Sequence, residues 1–178
     1  MTESPRSAAL GGVLYGVMAG ALFLLAQVFA AMFVGESPWA PIQPFSSVVL
    51  GESAVGVRTS PQSVVVGFIV HFALSALYGA IYCAANARRS SKIRTGYVRQ
   101  SALGLLYGAA LWLINLELIA RFFYPWLLES SQLIQLGLHA VTFGLPLALF
   151  YAGAQRREQP SAGRTIGPTA GGGYGTPW

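Results

Sequence analysis

The chain has 178 residues, of which 54% are hydrophobic and only 10% are charged, and its formal net charge is +5. Soluble domains carry about 25% charged residues, so this composition cannot cover a water-facing surface of ordinary polarity. A typical water-soluble domain is therefore excluded, and an integral membrane protein is predicted. The sequence contains no phosphate-binding loop, nucleophile elbow or paired-aspartate motif, which favours a non-enzymatic role.

Four apolar stretches are each long enough for a transmembrane helix, which needs about 20 mostly apolar residues. They cover residues 10–34, 64–85, 101–124 and 133–152. The first is longer than the apolar region of a signal peptide, which has about 7 to 15 residues, so we expect it to be retained. The sequence predicts an all-α, integral membrane four-helix bundle built from two tandem hairpins.

This pattern divides the chain into five predicted segments. They are an N-terminus (1–9), a first hairpin (10–89) with an outer loop (35–62), a basic loop (90–100), a second hairpin (101–157) and a Gly/Pro-rich tail (158–178). The outer loop is rich in proline and is predicted to be irregular, with Trp39 and Phe45 at the lipid headgroups. The tail has too little apolar bulk to fold alone.

Positive charges indicate how the chain is oriented in the membrane, because Lys and Arg collect on the cytoplasmic side. Nine of the eleven fall on one predicted side: Arg6, Arg88, Arg89, Lys92, Arg94, Arg99, Arg156, Arg157 and Arg164. Both termini are therefore predicted to be cytoplasmic. The basic loop is interpreted as a topology signal, and no nucleic-acid partner is expected.

The two hairpins repeat a sequence pattern. Gly12-Val13-Leu14-Tyr15-Gly16 in the first helix matches Gly104-Leu105-Leu106-Tyr107-Gly108 in the third. His71 and His139 each stand 17 residues before an Arg-Arg pair. Hairpins repeated in the same orientation imply a pseudo-twofold axis along the membrane normal.

Small residues recur at helical spacing along three of the four predicted helices. Such positions let helix backbones approach closely where lipid provides no hydrophobic drive to associate. The residues predicted to pack the helices in this way are Gly12, Gly16, Gly20, Gly67, Ser75, Gly79, Gly104 and Gly108.

One polar residue in each predicted helix lies seven positions from the outer end of its span: Gln27, His71, Glu117 and His139. At about 1.5 Å per residue, all four lie about 10 Å below the outer surface. Asn115 is close to the same layer. Ionisable residues at membrane depth are by default candidates for a functional site.

Three interpretations of this polar layer remain open. In the first, the histidines and Gln27 hydrogen-bond across the bundle, and Glu117 pairs with Arg121 at a favourable i, i+4 spacing. In the second, His71 and His139 ligate haem b from two different helices. In the third, the histidines and Glu117 form a metal or proton site. Helical spacing weakens the third, because it places Asn115, and not Glu117, on the Gly104 and Gly108 face.

The glycine-tyrosine motifs, the His71-x6-Tyr78-Gly79 pattern and the histidine of the fourth helix resemble uncharacterised four-helix bacterial inner-membrane families of the YagU-like group. The resemblance covers roughly residues 10 to 155 and implies a bacterial inner-membrane location without any catalytic residue. We expect a non-enzymatic accessory or scaffold subunit of a larger complex, such as a respiratory or photosynthetic one. Its expected partners are the lipid bilayer and other membrane subunits. The alternatives are a small b-type cytochrome and a small ion or metabolite carrier.

Overall fold

The computed structural model describes residues 4–55 and 60–158, and within those ranges the chain consists of helices, turns and loops. The helices of eight residues or more are α1 (Pro5–Phe33), α2 (Gln43–Leu50), α3 (Pro61–Ala87), α4 (Tyr97–Phe123) and α5 (Gln132–Glu158), and a short helix spans Ser91–Arg94. The prediction of four long apolar helices is confirmed by α1, α3, α4 and α5, each long and apolar enough to cross a membrane. The predicted tail, apart from its first residue, lies outside the described residues.

Serine caps extend two of these helices beyond their apolar stretches. The Ser4 hydroxyl accepts a hydrogen bond from the Ser7 backbone N–H at 3.1 Å, and Ser60 accepts from the Ser63 N–H at 3.0 Å. Each cap is followed by a proline at the first helical position. A backbone N–H at this position would have no acceptor within the helix, so its absence in proline costs no hydrogen bond. Residues 5–9 are therefore the first residues of α1.

The outer segment is not the irregular loop that its prolines predict. It contains a 3-10 turn (Ala40–Ile42) and α2, and a proline stands in the first turn of each. Ile42 packs against Gly67 of α3, where a Cβ on the glycine would lie 2.8 Å from the isoleucine side chain. Phe45 faces the bundle and contacts His71, so its predicted position at the headgroups is wrong.

Glycines bring the helices of each hairpin into direct backbone contact. A Cβ on Gly12 would lie 2.9 Å from Ala80 Cα, between α1 and α3. Between α4 and α5, a Cβ on Gly104 would lie 2.6 Å from the Ala148 side chain. These distances are too short for a real Cβ, so a methyl group at either glycine would force the paired helices apart.

The second hairpin contains two π-helical segments, Leu113–Ala120 in α4 and Leu138–Gly144 in α5. Pro146 follows the second segment and has no N–H to donate to the preceding turn, which favours a local change of helical winding. Such segments are rare, and they occur often at functional sites.

The register of the close helix contacts differs between the two hairpins. Gly16 of α1 faces the backbone of Ser75, whereas the matching Gly108 of α4 faces the backbone of His139. Ser75 and His139 therefore occupy equivalent places in the two hairpins, and His71 lies one turn nearer the α2 end. The hairpins repeat, but the equivalence of the two histidines expected from their 17-residue spacing is wrong.

Candidate functional site

All four long helices and α2 line one small open pocket, with a cavity volume of about 50 Å³. Its polar side chains are those of His71, Ser75, Tyr78, Asn115 and His139. The structure thus brings together both histidines and Asn115 of the predicted polar layer. Aromatic rings from α1, α2 and α5 form much of the remaining wall.

His71 is held across the interface between α1 and α3. The residue is only 3% exposed, and its Nε2 donates a hydrogen bond to the Gly20 carbonyl oxygen at 3.0 Å. Gly20 permits this approach, since a Cβ there would lie 3.4 Å from Nε2 and 2.7 Å from the Ser75 Cβ. The Phe45 ring packs edge-on against the imidazole, with 4.6 Å between ring centroids.

His139 is half-buried and is held within its own helix. Its Nδ1 donates to the Gln135 carbonyl oxygen at 2.8 Å, one turn earlier in α5. The Phe23 ring of α1 packs edge-on against it at a centroid distance of 4.9 Å. The two histidines thus differ in role, because only His71 links two helices by its hydrogen bond.

These contacts set the tautomer of each neutral ring. A carbonyl oxygen only accepts hydrogen bonds, so the facing nitrogen carries the proton. Nδ1 of His71 and Nε2 of His139 then each hold a lone pair. Within residues 4–55 and 60–158, neither of these nitrogens has a hydrogen-bond partner. The pocket is therefore lined by two imidazoles that each retain one acceptor.

Asn115 completes the polar wall from the π-helical part of α4. The Tyr78 hydroxyl donates to its Oδ1 at 2.7 Å, and the Tyr107 hydroxyl donates to the Tyr78 carbonyl oxygen at 2.8 Å. These bonds fix the amide orientation and leave its NH₂ group as a donor at the pocket. Tyr78 lies two turns after His71 on the same face of α3, a spacing that identifies it as part of the site.

Glu117 lies elsewhere. It forms an ion pair with Arg121, and the side chains of these two residues are 24% and 54% exposed. Glu117 does not line the pocket. Among the described residues, no group of three or more His, Cys, Asp and Glu side chains could hold a metal ion, so the combination of His71, His139 and Glu117 is not formed.

Gln27 contributes to the edge of the polar layer. Its Nε2 donates a long hydrogen bond of 3.5 Å to Gln135 Oε1, which connects α1 with α5. Its own Oε1 is buried without a partner in the described part of the chain. Gln135 also supplies the carbonyl that holds His139, so the two helices are tied beside the pocket.

Haem ligation by the two histidines conflicts with the present contacts. Nε2 of His71 is occupied by the Gly20 carbonyl. The Phe23 ring contacts both imidazoles, at centroid distances of 6.0 Å from His71 and 4.9 Å from His139. Axial ligation needs a free nitrogen from each ring directed at one iron. Haem binding stays a prediction that would require His71 to turn and Phe23 to move.

A second polar cluster lies near the opposite end of the bundle. Gln100 is fully buried, and its Oε1 accepts from the Tyr82 hydroxyl at 2.6 Å. Its Nε2 donates to the Ile93 carbonyl oxygen at 3.2 Å and to Asn86 Oδ1 at 3.4 Å. Asn86 and Gln100 lie just outside the predicted apolar stretches, so the polar layer predicted within those stretches does not include them.

Comparisons of the chain with protein-family models, curated proteins and solved structures give no match. The class established by the fold is a helical protein with four helices that could cross a membrane. The YagU-like resemblance stays a prediction.

Proposed function

We propose that this chain is a non-enzymatic accessory subunit of a larger complex in the bacterial inner membrane, with both termini in the cytoplasm. Large apolar side chains are exposed on every long helix, as lipid contact requires; examples are Leu14, Ile69, Leu106 and Ile134. Basic residues gather at the end of the bundle formed by the start of α1, the connection from α3 to α4 and the end of α5. The YagU-like resemblance also supports a location in the bacterial inner membrane.

The observation that carries the subunit proposal is the partly exposed Glu117–Arg121 ion pair. Ionisable residues in membrane helices almost always face the bundle interior or a water-filled cavity. Here the pair lies outside the pocket, and Arg121 is more than half exposed. Arg121 stands near the end of α4 and can extend toward the headgroups, but Glu117 lies one turn deeper. A neighbouring subunit with polar groups would cover this pair at lower cost than lipid.

The interior hydrogen bonds support a non-enzymatic role. His71 is bound to a backbone carbonyl of α1, Tyr78 to Asn115 of α4, and Tyr82 to Gln100 of α4. Each bond joins two different helices and fixes their relative position. Buried polar groups used in this way stabilise a bundle without performing chemistry.

The test is the size of the assembly at native expression level. The tagged chain is extracted in a mild detergent, and its mass is measured by native gel electrophoresis and mass spectrometry. We expect a complex larger than the chain alone, which the Glu117→Gln/Arg121→Gln double variant reduces to the free chain. Leu118→Ala changes an exposed side chain of the same helix and should leave the complex intact. A wild-type chain that runs alone contradicts the proposal.

A further inference from the structure

Arg94 is a buried cation in the connection between α3 and α4. It ends the short helix Ser91–Arg94 and is only 9% exposed, and no other Lys, Arg or Glu is buried in the part of the chain that the structure describes. Its Nε and Nη1 atoms are buried and have no hydrogen-bond partner among the described residues. Buried charges are normally paired, because a desolvated guanidinium without acceptors is costly. An acceptor for these N–H groups is therefore expected.

The acidic side chains of the described residues do not supply that acceptor. Glu158 stands at the same end of the bundle, but its Oε2 accepts from Gln155 Nε2 at 3.1 Å. The ion pair found within residues 4–55 and 60–158 is that of Glu117 with Arg121, on a distant part of α4. The anion that would match Arg94 is thus expected from outside the described residues.

Further cations are held against the same connection. Arg156 of α5 donates from Nε to the Thr95 carbonyl oxygen at 2.7 Å, and its guanidinium lies 4.1 Å from the centre of the Tyr97 ring. Arg99 Nη1 donates to the Lys92 carbonyl oxygen in a long hydrogen bond of 3.5 Å. Lys92, Arg99 and Arg156 are all exposed. A surface with this excess of positive charge attracts anions.

We propose that Arg94 is the centre of a phosphate-binding site at this end of the bundle. Its ligand is the headgroup of an anionic phospholipid or a phosphate compound dissolved in water. A guanidinium donates charge-assisted hydrogen bonds to phosphate oxygens, and its planar set of N–H groups suits them better than an ammonium group does. Basic sites at the cytoplasmic ends of membrane helices commonly bind lipid headgroups in this way.

The surroundings of Arg94 favour the lipid headgroup. Tyr97 and Val98 are 42% and 85% exposed at the start of α4, so apolar surface adjoins the cations. Because Nε and Nη1 are covered, binding requires the Arg94 side chain to rotate toward the exposed part of the connection, as its long stem allows. That rotation breaks no hydrogen bond of these two atoms. The lipid ligand rests on the proposed membrane location, but the site is independent of the proposed complex.

The first test compares two lipids with the same acyl chains. Dioleoylphosphatidylglycerol is anionic, whereas the phosphate of dioleoylphosphatidylcholine is neutralised by its own choline. Each is added to the delipidated full-length chain in detergent, and thermal unfolding and native mass spectrometry are recorded. We expect the anionic lipid to raise the unfolding temperature by at least about 2 °C and the choline lipid to raise it less. The isolated chain is used, so the outcome does not depend on the proposed complex.

Two variants with the same change of charge locate the site. Arg94→Met removes the guanidinium and keeps an apolar stem, and we expect it to weaken binding of the anionic lipid roughly tenfold. Lys92→Met removes an exposed charge two residues earlier and should weaken binding less than about twofold. Without lipid, Arg94→Met should be at least as stable as the wild type, because it removes an unpaired buried charge. Arg94→Lys keeps the charge, should also weaken binding, and serves if Arg94→Met fails to fold.

Inorganic phosphate distinguishes the two sources of the ligand. It is compared with chloride at equal ionic strength on the delipidated protein. Stabilisation by the anionic lipid alone, lost in Arg94→Met, supports a lipid headgroup. Stabilisation by inorganic phosphate, lost in the same variant, supports a water-soluble phosphate compound. The proposal would be overturned if neither probe stabilises the wild type, or if Lys92→Met weakens binding as much as Arg94→Met.

Discussion

Gly20 and His71 meet across the interface of α1 and α3, where His71 Nε2 lies 3.0 Å from the Gly20 carbonyl oxygen. The glycine supplies both the acceptor and the space for the ring, because a Cβ at position 20 would crowd Ser75 and the imidazole. One small residue thus sets the separation of two helices and positions a wall of the pocket.

Gly20→Ala should destabilise the protein by about 1–3 kcal/mol, because the added methyl group forces α1 away from Ser75. The matched control is Gly137→Ala, since a Cβ at that helical glycine would meet nothing within 4 Å. Thermal unfolding in detergent, followed by circular dichroism, measures the difference. A Gly20→Ala protein as stable as the control would contradict the close contact.

Gln100→Leu should cost about 1–3 kcal/mol, because it leaves the buried Tyr82 hydroxyl without its acceptor. The Gln100→Leu/Tyr82→Phe double variant removes both partners and should recover part of that loss. Reversible unfolding in mixed detergent gives the three free energies. If the loss in the double variant equals or exceeds the sum of the two single losses, the direct bond between these side chains is not the cause.

The two histidines should differ in their contribution to stability. His71→Leu removes a hydrogen bond between two helices, whereas His139→Leu removes one within α5. We expect the first to be less stable than the second by about 1 kcal/mol. The same samples give reduced-minus-oxidised absorbance spectra. A stoichiometric haem signal that both variants abolish would favour the cytochrome alternative over the subunit.

Orientation can be measured with single cysteines in a Cys83→Ser background. Ser53 and Ser90 are exposed at opposite ends of the bundle, the first beyond α2 and the second between α3 and α4. With both termini in the cytoplasm, a membrane-impermeant maleimide added outside spheroplasts should label Ser53→Cys and not Ser90→Cys. Permeabilised cells, in which both should react, provide the control. The reverse pattern would invert the proposed topology.

Local composition predicted the features of the fold that depend on length and apolarity. The four long helices follow from their apolar stretches, and the close contacts at Gly12 and Gly104 follow from helical spacing. The helix α2 was not predicted, because Pro41 and Pro44 resemble loop signals until their positions in the first turns are known. The inward position of Phe45 depends on that helix and could not be predicted without it.

The site was predicted only in part, because its geometry depends on how the paired helices are shifted along each other. The residues of the polar layer could be identified one by one, and His71, Asn115 and His139 do line one pocket. Counting residues made the histidines equivalent, but counting assumes that the two helix pairs meet in the same register. It does not show how far α5 is shifted along α4, and that shift places His139 opposite Gly108.

The different winding of the two hairpins also limits how a protein of this kind could arise from a shorter ancestor. A pair of identical hairpins would place two copies of the same wall opposite each other, either two regular α3 segments or two π-helical ones. Neither pair would combine a histidine bound to the neighbouring helix with a histidine bound to its own. The present pocket therefore depends on two hairpins that differ in sequence and in winding.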